Sequence, residues 1–308
     1  MPLIEKRSQL AAKVEGTEGT AEALAAADAV LARNIKFDPD IEVEELGLVS
    51  SSLSPFAGVA GARQAKMSFE CELKGSGTEG TAPEIGPLLR ACGFEETIVA
   101  ATSVTYDPAS ASVPSLTIAK YVDGKRYLMA GARGNFEIEL KAGKAGIVKF
   151  DFMGTAIADS DASLLSGISY QTTRAQPFQN ASFTINSYSA IIEALAIAAG
   201  NKIELRDSVN SAQGFLSAVI TERLATLKLN PEDVLIATHD FWDDWEAGTL
   251  VALSATLGAT AGNILTITAP KAQYGKVGQG ERKGFATHEI EGIFRRNSGD
   301  DELSLAFT

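Results

Sequence analysis

His239-Asp240-Phe241-Trp242-Asp243-Asp244-Trp245-Glu246 gathers one imidazole and four carboxylates in eight residues. Those are the ligand types of a calcium- or zinc-type site, which needs several oxygens or nitrogens to converge at about 2.0–2.6 Å. The spacing works against convergence. On a helix these acids spread around the axis, whereas Trp242 and Trp245, at i and i+3, share one face. The segment predicts a short helix with both tryptophans packed down and its acids in water.

Gly75-Ser76-Gly77-Thr78-Glu79-Gly80 fits G-x-G-x-x-G, after a strand and before a helix, the setting of a dinucleotide fingerprint. The strand before it alternates, unlike the doubly buried strands of a parallel sheet. Thr81-Ala82-Pro83 separates the loop from the helix, and no series of βαβ units follows. A flexible connecting loop is the better reading. His288 is the only other histidine, no G-x-S-x-G elbow occurs, and Glu137 and Glu139 fall on the outer side of a strand pattern. No catalytic, cofactor-binding or metal-ligating residue is assigned.

The elements that would position these groups are strands. Asn135 to Gly154 reads as a hairpin: Phe136, Ile138 and Leu140 alternate with Glu137, Glu139 and Lys141, then Val148, Phe150 and Phe152 alternate with Lys149 and Asp151. Arg63–Leu73 alternates in the same way. Pro83–Cys92 predicts a short helix, with Pro87 delaying its start and Gly93 capping its end. Strands are expected near Ile98–Tyr106, Ser115–Val122 and Lys125–Gly131, with Asp123-Gly124 as a tight turn. A first strand starts at about Val30, and Leu48–Phe56 is a serine-rich loop. Ala156–Phe178 loses periodicity. Ala190–Ala199 fits a helix by alanine content or a strand by repetition.

The chain repeats itself. Gly58 and the strand ending at Leu73 match Gly214 and the strand ending at Leu229 (214 − 58 = 156; 229 − 73 = 156), and Gly124 matches Gly262 (262 − 124 = 138). Glu289-Ile290-Glu291 echoes Glu137-Ile138-Glu139, and the turn Asn297–Asp300 followed by Leu303, Leu305 and Phe307 suggests that the closing hairpin recurs at the end. Equal order with drifting offsets predicts two related β modules.

Composition is that of a globular chain: 308 residues, 45% hydrophobic, 21% charged, with a formal net charge of −12. The acidic balance argues against wrapping nucleic acid. Cys71 and Cys92 read as buried free thiols in a chain made in a reducing cytosol. No signal-peptide pattern and no long apolar run is present, so a soluble product without a membrane span is expected.

Asp28–Pro39 (DAVLARNIKFDP), Phe69–Phe94, Ser115–Gly154 and Gly200–Phe215 together resemble the tail tube protein family of long-tailed, non-contractile bacteriophages and prophages. The resemblance is collinear and covers most of the chain. It implies a mainly β fold: two tail-tube-like β-sandwich or barrel domains, each with a short flanking helix, related by internal duplication. The expected division is an arm over 1–27, a first domain over 28–158, a linker over 159–180 and a second domain over 181–308.

The resemblance further implies a structural, non-enzymatic virion protein with no cofactor. Its subunits would stack as rings into the conduit for DNA ejection, as a trimeric pseudo-hexamer in preference to a hexamer. The tape measure protein and the tail terminator and tip proteins would be partners. Viral DNA would cross the lumen without specific binding, and assembly would take place in the host bacterial cytoplasm. A net-negative bore is expected, as are contacts with neighbouring subunits from the arm and from Leu48–Gly61. The competing expectation is a β-rich carbohydrate-binding or adhesin-like tail component, which would display exposed aromatic rings.

Overall fold

The computed structural model describes residues 2–308. The first half comprises β1 (Ser8–Val14), β2 (Ala29–Val30), β3 (Ala32–Glu44), β4 (Val59–Glu72), α1 (Gly86–Ala91), β5 (Phe94–Val99), β6 (Ser103–Pro108), β7 (Leu116–Val122), β8 (Lys125–Lys141) and β9 (Ile147–Asp161). The second comprises β10 (Thr184–Ile185), β11 (Ile192–Ala198), β12 (Asn201–Asp207), β13 (Phe215–Arg223), β14 (Thr226–Pro231), α2 (Phe241–Glu246), β15 (Val251–Leu257), β16 (Leu265–Arg282), β17 (Phe285–Phe294) and β18 (Ser304–Phe307).

Strand pairing is antiparallel throughout, and its order occurs twice. On one side of β8 lie β9, β4 and β3 in turn; on the other lie β7 and then β1. On one side of β16 lie β17, β14 and β11; on the other lie β15 and then β10. In each half the helix follows the corresponding strand, α1 after β4 and α2 after β14, and their starts are 155 residues apart (241 − 86). In the first half β1 also pairs with β2, which leads through Leu31 into β3, so the strands close at that end into a barrel.

Alternation explains the packing. Met67, Phe69 and Cys71 of β4, Phe136, Ile138 and Leu140 of β8, and Val148, Phe150 and Phe152 of β9 all point into one core. Phe69, Phe150 and Phe152 lie with ring centroids 5.5–6.0 Å apart. Each such side chain removed from water contributes about 1.5–3 kcal/mol. The same hydrophobic cluster continues without a break into Leu195, Leu229, Ile267, Ile290 and Phe307.

Several expectations are corrected. β8 and β9 run on well beyond the predicted hairpin, β9 as far as Asp161, into the stretch that loses periodicity. Ile98–Tyr106 is not one strand but the turn of the β5–β6 hairpin, where Ala101 adopts a left-handed φ of 53°. Ala190–Ala199 holds a strand, β11, because its alanines alternate with Leu195 and Ile197 between two neighbouring strands. α1 begins at Gly86, later than Pro83 as expected, with Pro87 in its first turn, where a missing N–H costs nothing.

The end of the chain departs most from expectation. β17 and β18 form no hairpin: β18 pairs instead with β16 and with β6. Glu289-Ile290-Glu291 therefore lies in the counterpart of β9, not of β8. The motif reflects a shared one-face-buried pattern, which any strand of this sheet satisfies. At the other end, residues 8–14 of the arm form β1 along β7.

Candidate assembly surfaces

The β8–β11 pairing, Ala194–Ala198 against Glu137–Lys141, joins the two halves into one sheet. Its order is β3-β4-β9-β8-β11-β14-β17-β16. Register is continuous along it. One row runs Glu72, Ile147, Glu139, Ala196, Lys228, Glu291, Lys276, each residue opposite the next, from β4 to β16. Because side chains alternate, this row and its neighbours form the polar face, and the residues between them form the core.

Acids and bases interleave on that face. Lys149 Nζ contacts Glu139 Oε1 at 2.5 Å, Lys228 Nζ contacts Glu291 Oε1 at 3.1 Å, and Arg33 Nε contacts Glu70 Oε2 at 2.8 Å. Hydrogen bonding from Asn34, with Arg33 beside it, holds the Glu70 carboxyl below its ordinary pKa. The Glu139 carboxylate raises that of Lys149. At the centre the β11 contribution is Ala194, Ala196 and Ala198, so the face is mixed in charge and low in relief.

A second surface lies at the tip of the β3–β4 hairpin. Ile41, Val43, Leu46, Leu48, Val49, Leu53, Phe56 and Val59 are all exposed, and Val49 is 96% accessible. Singly exposed apolar residues are ordinary, but a contiguous set on a protruding hairpin marks an interaction site. The corresponding β12–β13 hairpin is shorter. Its turn lies against the base of the first, with Arg63 N donating to Gln213 O at 2.9 Å.

The residues singled out for chemistry have structural positions. In α2 the fully buried apolar residue is Phe241, and Trp245 packs half-buried against the core, but Trp242 is 38% exposed, so the expectation that both tryptophans pack down fails for Trp242. The acids are not uniformly solvated. Asp240 caps the helix by accepting from the N–H groups of Trp242 and Asp243, and Asp244, 8% exposed, accepts from Asn186 and faces His239 Nε2 at 3.3 Å. The segment is helical as expected, and its face is rotated because the core takes Phe241 at the first turn. His239 stacks on Tyr188 at 4.7 Å, and His288 packs beside Phe241 with Nε2 3.0 Å from Asp233 Oδ1.

The glycine-rich loop is pinned, not free. Gly75 N donates to Asn263 Oδ1 and Gly77 N to Gly262 O. A side chain at Gly75 or Gly262 would overlap the facing backbone. Gly75 N and Gly77 N are thus spent on the opposite turn, and Thr78 N on Ser76 Oγ, which gives these groups a structural role. Cys71 and Cys92 are buried and unpaired, and burial pushes both thiols well up from their ordinary pKa.

Sequence reasoning passed over one polar cluster altogether. The buried Glu15 carboxylate accepts from Gly19 N, Gly131 N, Ser115 Oγ and Thr117 Oγ1 at 2.6–3.0 Å. Nearby, Arg133 donates to Val113 O and pairs with Glu18 at 2.7 Å. Little local marks these residues, because Ser115, Thr117 and Gly131 lie 100–116 positions from Glu15, and Arg133 lies 115 from Glu18.

No curated protein matches the chain. A family model described as "Phage tail tube protein" matches residues 5–293, nearly its whole length. The β-rich sheet and the match agree: the chain belongs to the phage tail tube protein family, a structural component of the bacteriophage tail.

Proposed function

We propose that the protein is the major tail tube subunit and assembles into stacked rings whose bore is the conduit for DNA ejection. The observation that carries this is the continuous sheet with one buried and one polar face. Curled so that the polar face turns inward, such a sheet lines a channel while the core and helices stay outside. The repeated pairing order supports two tube modules per chain, over 28–158 and 181–308, and hence a ring of three chains with six modules. A hexamer is the alternative.

The lining follows from the strand pattern. Interleaved, cross-paired Glu and Lys give a mixed surface in place of the uniformly acidic one that net charge suggests. Paired charges hold DNA phosphate weakly, so transit needs no specific binding and no catalysis. The apolar tip of the β3–β4 hairpin supplies the contact to the neighbouring ring, and the tape measure, terminator and tip proteins are the remaining partners. Assembly takes place in the host bacterial cytoplasm.

A carbohydrate-binding role would need an aromatic platform. Trp242 is the more exposed of the two tryptophans, and its ring lies against Trp245 and His288. Negative-stain microscopy of the purified protein with its initiator complex is the test. Stacked rings with a central hole are expected; separate particles at every concentration would overturn the proposal.

A further inference from the structure

The loop before α2 holds apolar side chains out in water. Leu235 and Ile236 are 80% and 78% exposed, and Trp242 and Phe285 beside them are also open. The loop is anchored, so this exposure is built in. Glu232 N donates to Ile191 O, Asp233 N donates to Ala286 O, and both Thr238 N and His239 N donate to Leu235 O. The buried His288 ties the set together from beneath. Its Nε2 lies 3.0 Å from Asp233 Oδ1, and its ring centroid lies 5.9 Å from that of Trp242. A contiguous apolar set on an anchored surface marks an interaction site.

The first half shows how such a loop is covered. There the loop between β4 and α1 lies under residues 171–173 of the same chain. Lys74 Nζ donates to Gln171 O, Gln171 Nε2 donates to Ser76 O, and Thr173 lies against Gly77. The loop between β14 and α2 holds the same place in the second half, with Leu235 and Ile236 in water instead. Its charge is one-sided. From Leu229 to Pro270 the chain contains no Lys or Arg, whereas Glu232, Asp233, Asp240, Asp243, Asp244 and Glu246 all fall in this stretch. Asp233, Asp243 and Glu246 are exposed. Of the neighbouring bases, Arg282 is committed to Glu232 at 2.9 Å, and Lys283 lies beyond it in the β16–β17 turn.

We propose that this surface binds an extended segment of a different protein in which apolar side chains alternate with lysine or arginine. The apolar ones cover Leu235, Ile236 and Trp242, and the bases meet Asp233, Asp243 and Glu246. The apolar hairpin tip of a second copy is a poor match. Glu42, Glu44 and Glu45 flank it and residues 37–62 contain no Lys or Arg, so like charges would meet. The surface is complete in one chain, so it does not rest on the tail tube reading.

The two tryptophans of the chain both lie in α2, so intrinsic fluorescence reports on this site. A short synthetic peptide of alternating leucine and lysine, titrated into the full-length protein, should shift the tryptophan emission and saturate. Leu235→Ser with Ile236→Ser should weaken its binding about tenfold or more, and Asp243→Asn with Glu246→Gln should weaken it several-fold. A leucine–glutamate peptide should leave the emission unchanged. The proposal is overturned if the leucine–lysine peptide gives no shift, if the leucine–glutamate peptide binds as tightly, or if the double serine variant binds like the parent. Tighter binding of a peptide with the sequence of residues 2–10, or emission that shifts with protein concentration alone, would assign the surface to a second copy and overturn it as well.

Discussion

The backbone N–H of Gly75 donates to the side-chain Oδ1 of Asn263 at 2.8 Å, across 188 residues of chain. Asn263 returns its own Nδ2 to Arg174 O at 2.9 Å. One buried amide thus ties the loop after β4 to the β15–β16 turn and to the segment between the halves. Asn263→Ala leaves the buried Gly75 N without a partner, at about 1–3 kcal/mol, and frees Arg174 O, which water can reach, at less. A fall of several degrees in melting temperature is expected. Gly75→Ala should lower it too, because its methyl has no room against Gly262. A melting temperature within one degree of the parent for both variants would show that the latch carries no stability.

Glu15 is a buried carboxylate that accepts four hydrogen bonds. Glu15→Ala should destabilise the chain by about 3 kcal/mol, since it deserts four donors, two of them backbone N–H groups. Glu15→Gln should lie between the two, because an amide oxygen replaces only part of the acceptance. Urea midpoints of the three proteins give the order. The same anchor means that deleting residues 1–27 removes β1 from the barrel, so the truncated chain should unfold more readily before any effect on tube length is seen.

The hairpin tip should behave in the opposite way. Val49→Asp with Leu53→Asp alters residues that touch no core, so the melting temperature should stay within about 0.5 kcal/mol of the parent in free-energy terms. Tube yield and length by microscopy should fall sharply if the tip bears on the next ring. Normal tubes from this double variant would remove the tip from the assembly contact.

Thiol chemistry reports on core opening. With both cysteines buried and their pKa values raised, neither Cys71 nor Cys92 should react with a thiol reagent in the native protein at neutral pH. Both should react once the chain is unfolded in denaturant. Fast labelling of either in the native state would contradict the packing around α1 and β4.

Acid should loosen two ties. Hydrogen bonding from Ser217 and Arg133 lowers the Glu18 pKa, and hydrogen bonding from Ser110, with Arg223 nearby, lowers that of Asp300. A lowered folded pKa gives stability that is present above the unfolded carboxyl value of about 4 and lost as pH falls through the folded one. Each tie is worth less than about 1 kcal/mol, because both carboxyls stay largely in water. Between pH 7 and pH 3 the urea midpoint should drop less for Glu18→Gln with Asp300→Asn than for the parent.

Much of this protein was legible from residue order alone. The alternation in Arg63–Leu73 and Phe136–Phe152 fixed strands with one buried face, because a pleated backbone turns every second side chain the same way. The spacing in Gly58–Leu73 and Gly214–Leu229 pointed to matching elements, and the family resemblance pointed to the tail. Partner choice was not legible. Every strand here satisfies the same pattern, so Glu289-Ile290-Glu291 could not reveal that it stands beside β14, nor Leu305 that it crosses to β6. Only the packed structure decided that β11 would complete β8, that Phe241 would enter the core while Trp242 stayed outside, and that a glycine loop would be held shut by Asn263. Local sequence sets which face is apolar; contacts between distant segments set which edges meet, and those depend on shape and register that no short stretch encodes.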